Sequence, residues 1–62
     1  MMAIKKGMYL KYAPNPDVVV RVERIISASA DRVIFLGRWV SGGESSEFVI
    51  TKDNEKSWKE SI

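Results

Sequence analysis

Short blocks of β-branched and aromatic residues alternate with turn-forming segments along the whole chain. Blocks of this kind, bounded by Gly, Pro, Asn, Asp or Ser, are typical of paired β-strands. The pattern predicts one all-β domain that covers the sequence, with four strands followed by a helical turn. The predicted strands are residues 7–12, 18–26, 32–41 and 44–51, and the predicted helical turn is residues 53–61.

Gly42-Gly43 lies between the third and fourth predicted strands. This pair favours a two-residue hairpin turn, because glycine adopts positive φ readily. Counting outward from the turn predicts that Arg38 faces Glu47 and that Gly37 faces Phe48. Phe48 is then expected to cover the bare backbone of Gly37. A longer loop is the competing register, and it would break both pairs.

The second predicted strand is apolar mainly at its even positions, which run from Val18 to Ile26. Arg21 and Glu23 occupy odd positions, and successive side chains of a strand point to opposite faces. Because charged side chains are costly to bury, the odd face is expected to be the outer one. The even positions are expected to face the core.

The C-terminal segment changes in character after the fourth predicted strand. Asp53 or Asn54 is a suitable N-cap for a short helix. Trp58 and Ile62 are four residues apart and would share one helical face. We expect this helical turn to pack Trp58 over an open end of the sheet. The sheet itself is expected to be strongly bent or to form a partly open barrel, since a flat one would leave its apolar face bare.

The order of these elements resembles that of compact Src-homology-3-like barrels, among them short proteins of bacteria, phages and mobile elements. The resemblance rests on a Gly-x-Tyr strand, a Pro/Asn/Asp loop, a valine-rich strand, a Val-x-Phe strand, a glycine hairpin and a closing tryptophan. These elements are residues 7–9, 14–17, 20–25, 33–35, 42–43 and 57–58. The resemblance implies a fold and not an activity, because such barrels carry many unrelated functions.

The composition argues against catalysis. The chain of 62 residues contains neither Cys nor His. Disulfides are therefore ruled out, and the most frequent zinc ligands are missing. The commonest general base and the most reactive nucleophile are missing for the same reason. We predict a non-enzymatic binding module, with no cofactor and no small-molecule ligand.

The chain is also expected to be cytoplasmic. Its apolar stretches are far shorter than the roughly 20 residues that a membrane-spanning helix needs. Lys5 and Lys6 interrupt the apolar residues at the start of the sequence, which argues against a signal peptide.

Two kinds of partner fit the sequence, and protein contact is the leading prediction. In the predicted register, apolar side chains lie on the face of the third and fourth strands that points away from Phe35 and Phe48. Such a face needs a cover, which another protein, a second copy of the chain or its own C-terminal segment would supply. The candidate protein-contact residues are Ile34, Leu36, Val40 and Val49.

The alternative is nucleic-acid binding by the N-terminal part of the chain. Residues 1–38 carry seven basic and three acidic side chains (+4), whereas residues 39–62 carry three basic and five acidic ones (−2). Aromatic residues such as Tyr9 interleave with the basic ones and offer stacking surfaces for bases. The candidate nucleic-acid contacts are Lys11, Tyr12, Arg21, Arg24, Arg32, Arg38 and Trp39.

Overall fold

The alternating segments pair into one antiparallel sheet of five strands, in a computed structural model that describes residues 3–61. The strands are β1 (Tyr9–Tyr12), β2 (Val19–Ala28), β3 (Arg32–Trp39), β4 (Ser45–Thr51) and β5 (Trp58–Ser61). Their order is β4-β3-β2-β1-β5, and within residues 3–61 the two edge strands do not pair, so the sheet is not closed. The prediction of an all-β chain with a bent, partly open sheet is confirmed. No helix in this range is long and apolar enough to cross a membrane.

The inner face of the sheet carries the hydrophobic core, and every strand contributes to it. Alternation along each strand directs every second side chain to this face. The sheet curls so far that Phe48 of β4 and Trp58 of β5 meet edge to face, with ring centroids 5.8 Å apart. A curled sheet covers its own core without a second layer. The buried core residues are Leu10, Val20, Val22, Val33, Phe35, Ile50 and Trp58.

The predicted helical turn over residues 53–61 is wrong for most of its length. Only Glu55–Ser57 forms a single turn of 3-10 helix, and Trp58–Ser61 forms β5, which was not predicted. β5 pairs antiparallel with β1. This pairing supplies main-chain hydrogen bonds from an existing strand, whereas an isolated helical turn has to bear its own nucleation cost. Ile62, the expected helical partner of Trp58, lies outside the described residues.

The β3–β4 hairpin has a longer loop than the predicted two-residue turn. The amide nitrogen of Trp39 donates to the carbonyl oxygen of Glu44 at 2.7 Å, so residues 40–43 form the loop. Gly37 is opposite Ser46, a shift of two residues from the predicted partner. The predicted register is therefore wrong. Because the shift is even, each side chain still points to the face that was expected.

β2 changes face part-way along its length, because its pairing with β3 is interrupted twice. The register shifts between Val22 and Arg24, and again between Ile25 and Ser27. Val22 is buried as expected, but Ile25 packs against the core and Ile26 is exposed. The expectation that even positions face the core is wrong beyond Val22, since each bulge inserts one extra residue and reverses the alternation.

Candidate functional site

The face of the sheet opposite the core, called the outer face below, concentrates positive charge. Side chains from all five strands contribute to it. β5 contributes Lys59, which lies directly opposite Lys11 of β1. The acidic residues of the outer face are Glu23 and Glu47. Its basic residues are Lys11, Arg21, Arg24, Arg32, Arg38 and Lys59. Six basic and two acidic side chains give the outer face a formal charge of +4, so the rest of the chain carries −2 of the total of +2.

Two arginines lie side by side in the middle of this face. Arg21 is opposite Arg38 in the β2–β3 ladder, and Tyr9 is opposite Arg21 in the β1–β2 ladder. Glu23 bridges the two guanidinium groups: Arg21 Nη1 donates to its Oε2 and Arg38 Nε to its Oε1, each at 2.6 Å. Arg38 Nη1 also donates to the carbonyl oxygen of Gly43 at 2.7 Å. Like charges directly opposite each other repel, and the shared carboxylate offsets that repulsion.

The predicted Arg38–Glu47 pair does not form. The longer hairpin loop places Glu47 opposite Leu36, and Arg38 contacts Glu23 on β2 instead. The hydrogen bond from Arg38 is the main reason why the pKa of the Glu23 carboxyl is lowered from its ordinary value of 4.5, and the bond from Arg21 adds to it. Glu23 is therefore ionised at neutral pH and holds both arginines in place.

The other four basic side chains of the outer face are exposed and have no acceptor within the part of the chain that the structure describes. They form neither a hydrogen bond nor an ion pair there. These four, the unpaired cations, are Lys11, Arg24, Arg32 and Lys59. They supply positive charge that no carboxylate of the described residues neutralises directly.

The predicted nucleic-acid contacts divide between the two faces of the sheet. Lys11, Arg21, Arg24, Arg32 and Arg38 share the outer face. The rings of Tyr12 and Trp39 lie on the inner side, with centroids 5.0 Å from Trp58 and 5.8 Å from Phe48, respectively. Both rings pack against the core, and Trp39 also lines a shallow pocket together with Arg21 and Arg38. Tyr9, which is 43% exposed, is the aromatic residue on the outer face.

Lys59 was missed by the sequence analysis, since a residue in a predicted helix cannot be assigned to a sheet face. The alternation of Trp58 and Lys59 is the only local signal that could have indicated a strand there. Three of the four predicted protein-contact residues also meet on the outer face. Ile34 lies opposite Val49, and Leu36 follows Ile34 by two residues on β3.

Ile34, Leu36 and Val49 form the apolar island of this face. Val49 is 43% exposed, and the other two side chains are half-buried. The island is flanked by basic residues, because Arg24 is opposite Leu36 and Arg32 precedes Ile34 by two positions. Val40 is separated from the island, since it belongs to the hairpin loop and is 56% exposed there.

The free side of β4 is partly occupied by a side chain. Asn54 Oδ1 accepts from the amide of Thr51 at 2.8 Å, and Asn54 Nδ2 donates to the carbonyl of Val49 at 3.0 Å. The carboxamide thus replaces the neighbouring strand that an edge lacks. Main-chain groups of alternate residues point to the same side of a strand, so those of Ser45 and Glu47 also point to the free edge.

Comparison with protein-family models, with curated proteins and with solved structures finds no match for this chain. A proposal for its function therefore rests on the charge distribution and the geometry of the chain itself. Residues 3–61 contain no group of three or more acidic side chains placed to hold a metal ion.

Proposed function

We propose that this chain is a small, non-enzymatic, cytoplasmic module that binds nucleic acid on the outer face of its sheet. The observation that carries the proposal is the segregation of charge, with +4 on the outer face and −2 on the remainder. A positive face attracts the phosphate backbone, and the release of condensed counterions drives the association. The distribution matters more than the total here, because a net charge of +2 spread evenly would favour no partner.

The unpaired cations set the expected strength of this interaction. Lys11, Arg24, Arg32 and Lys59 come from four different strands and are free to follow a phosphate backbone across the sheet. Arg21 and Arg38 are already bonded to Glu23 and contribute less net charge. About four phosphate contacts are therefore expected per bound molecule.

The salt dependence of binding tests this proposal. A fluorescently labelled oligonucleotide is titrated with the protein, and anisotropy is followed at several salt concentrations. With about four phosphate contacts, the slope of log K against log[salt] is expected to be roughly −3 for a single strand. Absence of binding at micromolar protein in low salt, or binding that does not depend on salt, would contradict the proposal.

Protein contact through the free edge of β4 is a second candidate function. The main-chain groups of Ser45 and Glu47 point outward beside Val49 of the apolar island. An extended segment of a partner would add a strand at such an edge. A second copy paired about Glu47 would bring two carboxylates together, which is unfavourable. A partner segment with a basic residue opposite Glu47 therefore suits the edge better than a homodimer does.

Two measurements separate these partners. Sedimentation equilibrium over a range of protein concentrations reports self-association, and we expect a monomer. The edge itself is tested with peptides of alternating β-branched and basic residues, using Glu47→Lys as the variant. Charge reversal at Glu47 is expected to abolish binding of the basic peptide. Equal binding by both proteins would remove this candidate.

For the fold, we propose a Src-homology-3-like barrel that stays open between β4 and β5. The support is the order of the elements, together with the contact between Phe48 and Trp58 across the gap. An experimental structure in which the strands paired in another order would contradict this proposal.

A further inference from the structure

A shallow pocket of about 240 Å³ opens beside the paired arginines. Its lining residues are Tyr9, Arg21, Arg38, Trp39, Val40 and Gly43. Sites for drug-sized ligands usually measure about 300–1,000 Å³. A pocket of the smaller size suits one ring-sized group of a larger ligand, and not a complete cofactor.

Tyr9 supplies the accessible aromatic surface of this pocket. Its side chain is 43% exposed, and among residues 3–61 its ring contacts no other aromatic ring. The ring of Trp39, in contrast, is engaged with Phe48. Tyr9 is also directly opposite Arg21, so a group that stacks on the tyrosine lies next to a fixed positive charge.

The two arginines retain donors that no acceptor within residues 3–61 uses. Glu23 accepts from Arg21 Nη1 and Arg38 Nε, and the carbonyl of Gly43 accepts from Arg38 Nη1. The Nη2 groups of both arginines and Nε of Arg21 are left for a ligand. A guanidinium that is already held by hydrogen bonds loses little conformational freedom when it binds, which favours recognition of a phosphate oxygen.

We infer that this pocket takes one base of a single-stranded nucleic acid, with the base stacked on Tyr9 and a neighbouring phosphate on Arg21 and Arg38. The inference rests on the proposed function and specifies its ligand. A base in a duplex is stacked on its neighbours, and its faces are not available to a side chain. Bases of a single strand stack freely on aromatic rings, with little dependence on sequence.

Tyr9→Ala tests the stacking contact, with Val49→Ala as the matched control. Val49 is as exposed as Tyr9, at 43%, and lies on the same face but outside the pocket, so it controls for the loss of an exposed outer-face side chain. The probes are a short labelled oligothymidylate and oligouridylate, and a DNA duplex of the same length. Tyr9→Phe keeps the ring and should bind as the wild type does. Tyr9→Thr replaces the alanine variant if circular dichroism shows that the latter does not fold.

Loss of Tyr9 is expected to weaken binding of either single strand about tenfold, the size of one base stack, while duplex binding changes less than twofold. Val49→Ala should leave all probes unaffected. The inference is overturned if Tyr9→Ala and Val49→Ala behave alike, or if duplex binding falls by the same factor as single-strand binding. In those cases wild-type binding still supports the proposed function, whereas wild-type protein that binds no probe contradicts both.

Discussion

Phe48 packs its ring over the bare backbone of Gly37. A Cβ atom on Gly37 would lie 2.9 Å from both Cδ2 and Cε2 of Phe48, and 3.0 Å from Cε2 of Phe35. Phe48 cannot easily give way, because its ring also contacts Phe35, Trp39 and Trp58, at centroid distances of 5.5, 5.8 and 5.8 Å. Gly37 is therefore required by packing, as expected from the sequence, although Phe48 is its diagonal and not its direct neighbour.

Gly37→Ala is expected to lower the free energy of unfolding by about 1–3 kcal/mol, the usual cost of overpacking a core. Urea denaturation measures the change. Phe48→Leu provides the control, because a smaller side chain leaves room for the new methyl group. The double variant should then be more stable than the sum of the two single effects predicts, by at least about 0.5 kcal/mol. Strict additivity would mean that Phe48 does not restrict Gly37.

Trp58 packs β5 against the core and bridges β1 and β4. It is 8% exposed, and its ring contacts Tyr12 on β1 and Phe48 on β4. Trp58→Ala should cost about 3–5 kcal/mol, a large part of the 5–15 kcal/mol that stabilises a typical domain. Trp58→Phe keeps an aromatic ring in place and should melt cooperatively. Thermal unfolding followed by circular dichroism compares the two; an alanine variant that melts like the wild type would show that β5 is not part of the core.

Alternation of apolar residues was enough to predict β1 to β4, whose ends lie within two residues of the predicted bounds. It could not predict β5, because the spacing of Trp58 and Ile62 suits a helix equally well and only pairing with β1 decides between them. Alternation of apolar residues could not predict the register of the β3–β4 hairpin either. Val40 extends the apolar run past the end of β3, which hid the true length of the loop.

The positive charge of the candidate site could be predicted from the sequence, but the contacts among its side chains could not. Alternation alone places Arg21, Glu23 and Arg38 on the outer face, yet the choice of Glu23 over Glu47 as the partner of Arg38 depends on the length of the hairpin loop. Bulges have no clear signal in this sequence. The bulge between Val22 and Arg24 turns Arg24 to the outer face, where an uninterrupted strand would have directed it to the core.

Asn54 is expected to stabilise the end of β4 through its two side-chain hydrogen bonds. Asn54→Ala should lower the free energy of unfolding by about 1–2 kcal/mol, since net hydrogen-bond contributions are about 1 kcal/mol each. Asn54→Asp keeps the acceptor for the amide of Thr51 but brings a second oxygen to the carbonyl of Val49. Urea denaturation should therefore show that aspartate does not restore wild-type stability. Full rescue by aspartate would mean that the bond to Val49 contributes nothing.

The stability that Glu23 gains from its ion pairs with Arg21 and Arg38 should depend on pH. Because folding lowers the pKa of Glu23 from about 4.5, its stabilising effect is complete above that pH and is lost as the pH falls through the lower, folded-state pKa. The melting temperature of wild type should exceed that of Glu23→Gln near neutral pH, and the difference should shrink in acid. Melting curves of both proteins between about pH 7 and pH 3 measure this. A difference that stays constant over the range would rule out the assignment to Glu23.

The central claim, that the outer face is the nucleic-acid interface, is tested most directly by charge reversal at matched positions. Lys11→Glu/Arg24→Glu changes two unpaired cations of the outer face. Lys52→Glu/Lys56→Glu changes the net charge equally, but in the segment between β4 and β5, outside every strand.

Anisotropy titration of a single-stranded oligonucleotide at several salt concentrations compares these two variants with the wild type. The outer-face variant should bind at least about tenfold more weakly, and its salt slope should be shallower by roughly 1.4, or 0.7 for each lost phosphate contact. The control variant should stay close to the wild type in affinity and in slope. Equal weakening by both variants, or wild-type binding by the outer-face variant, would contradict the account.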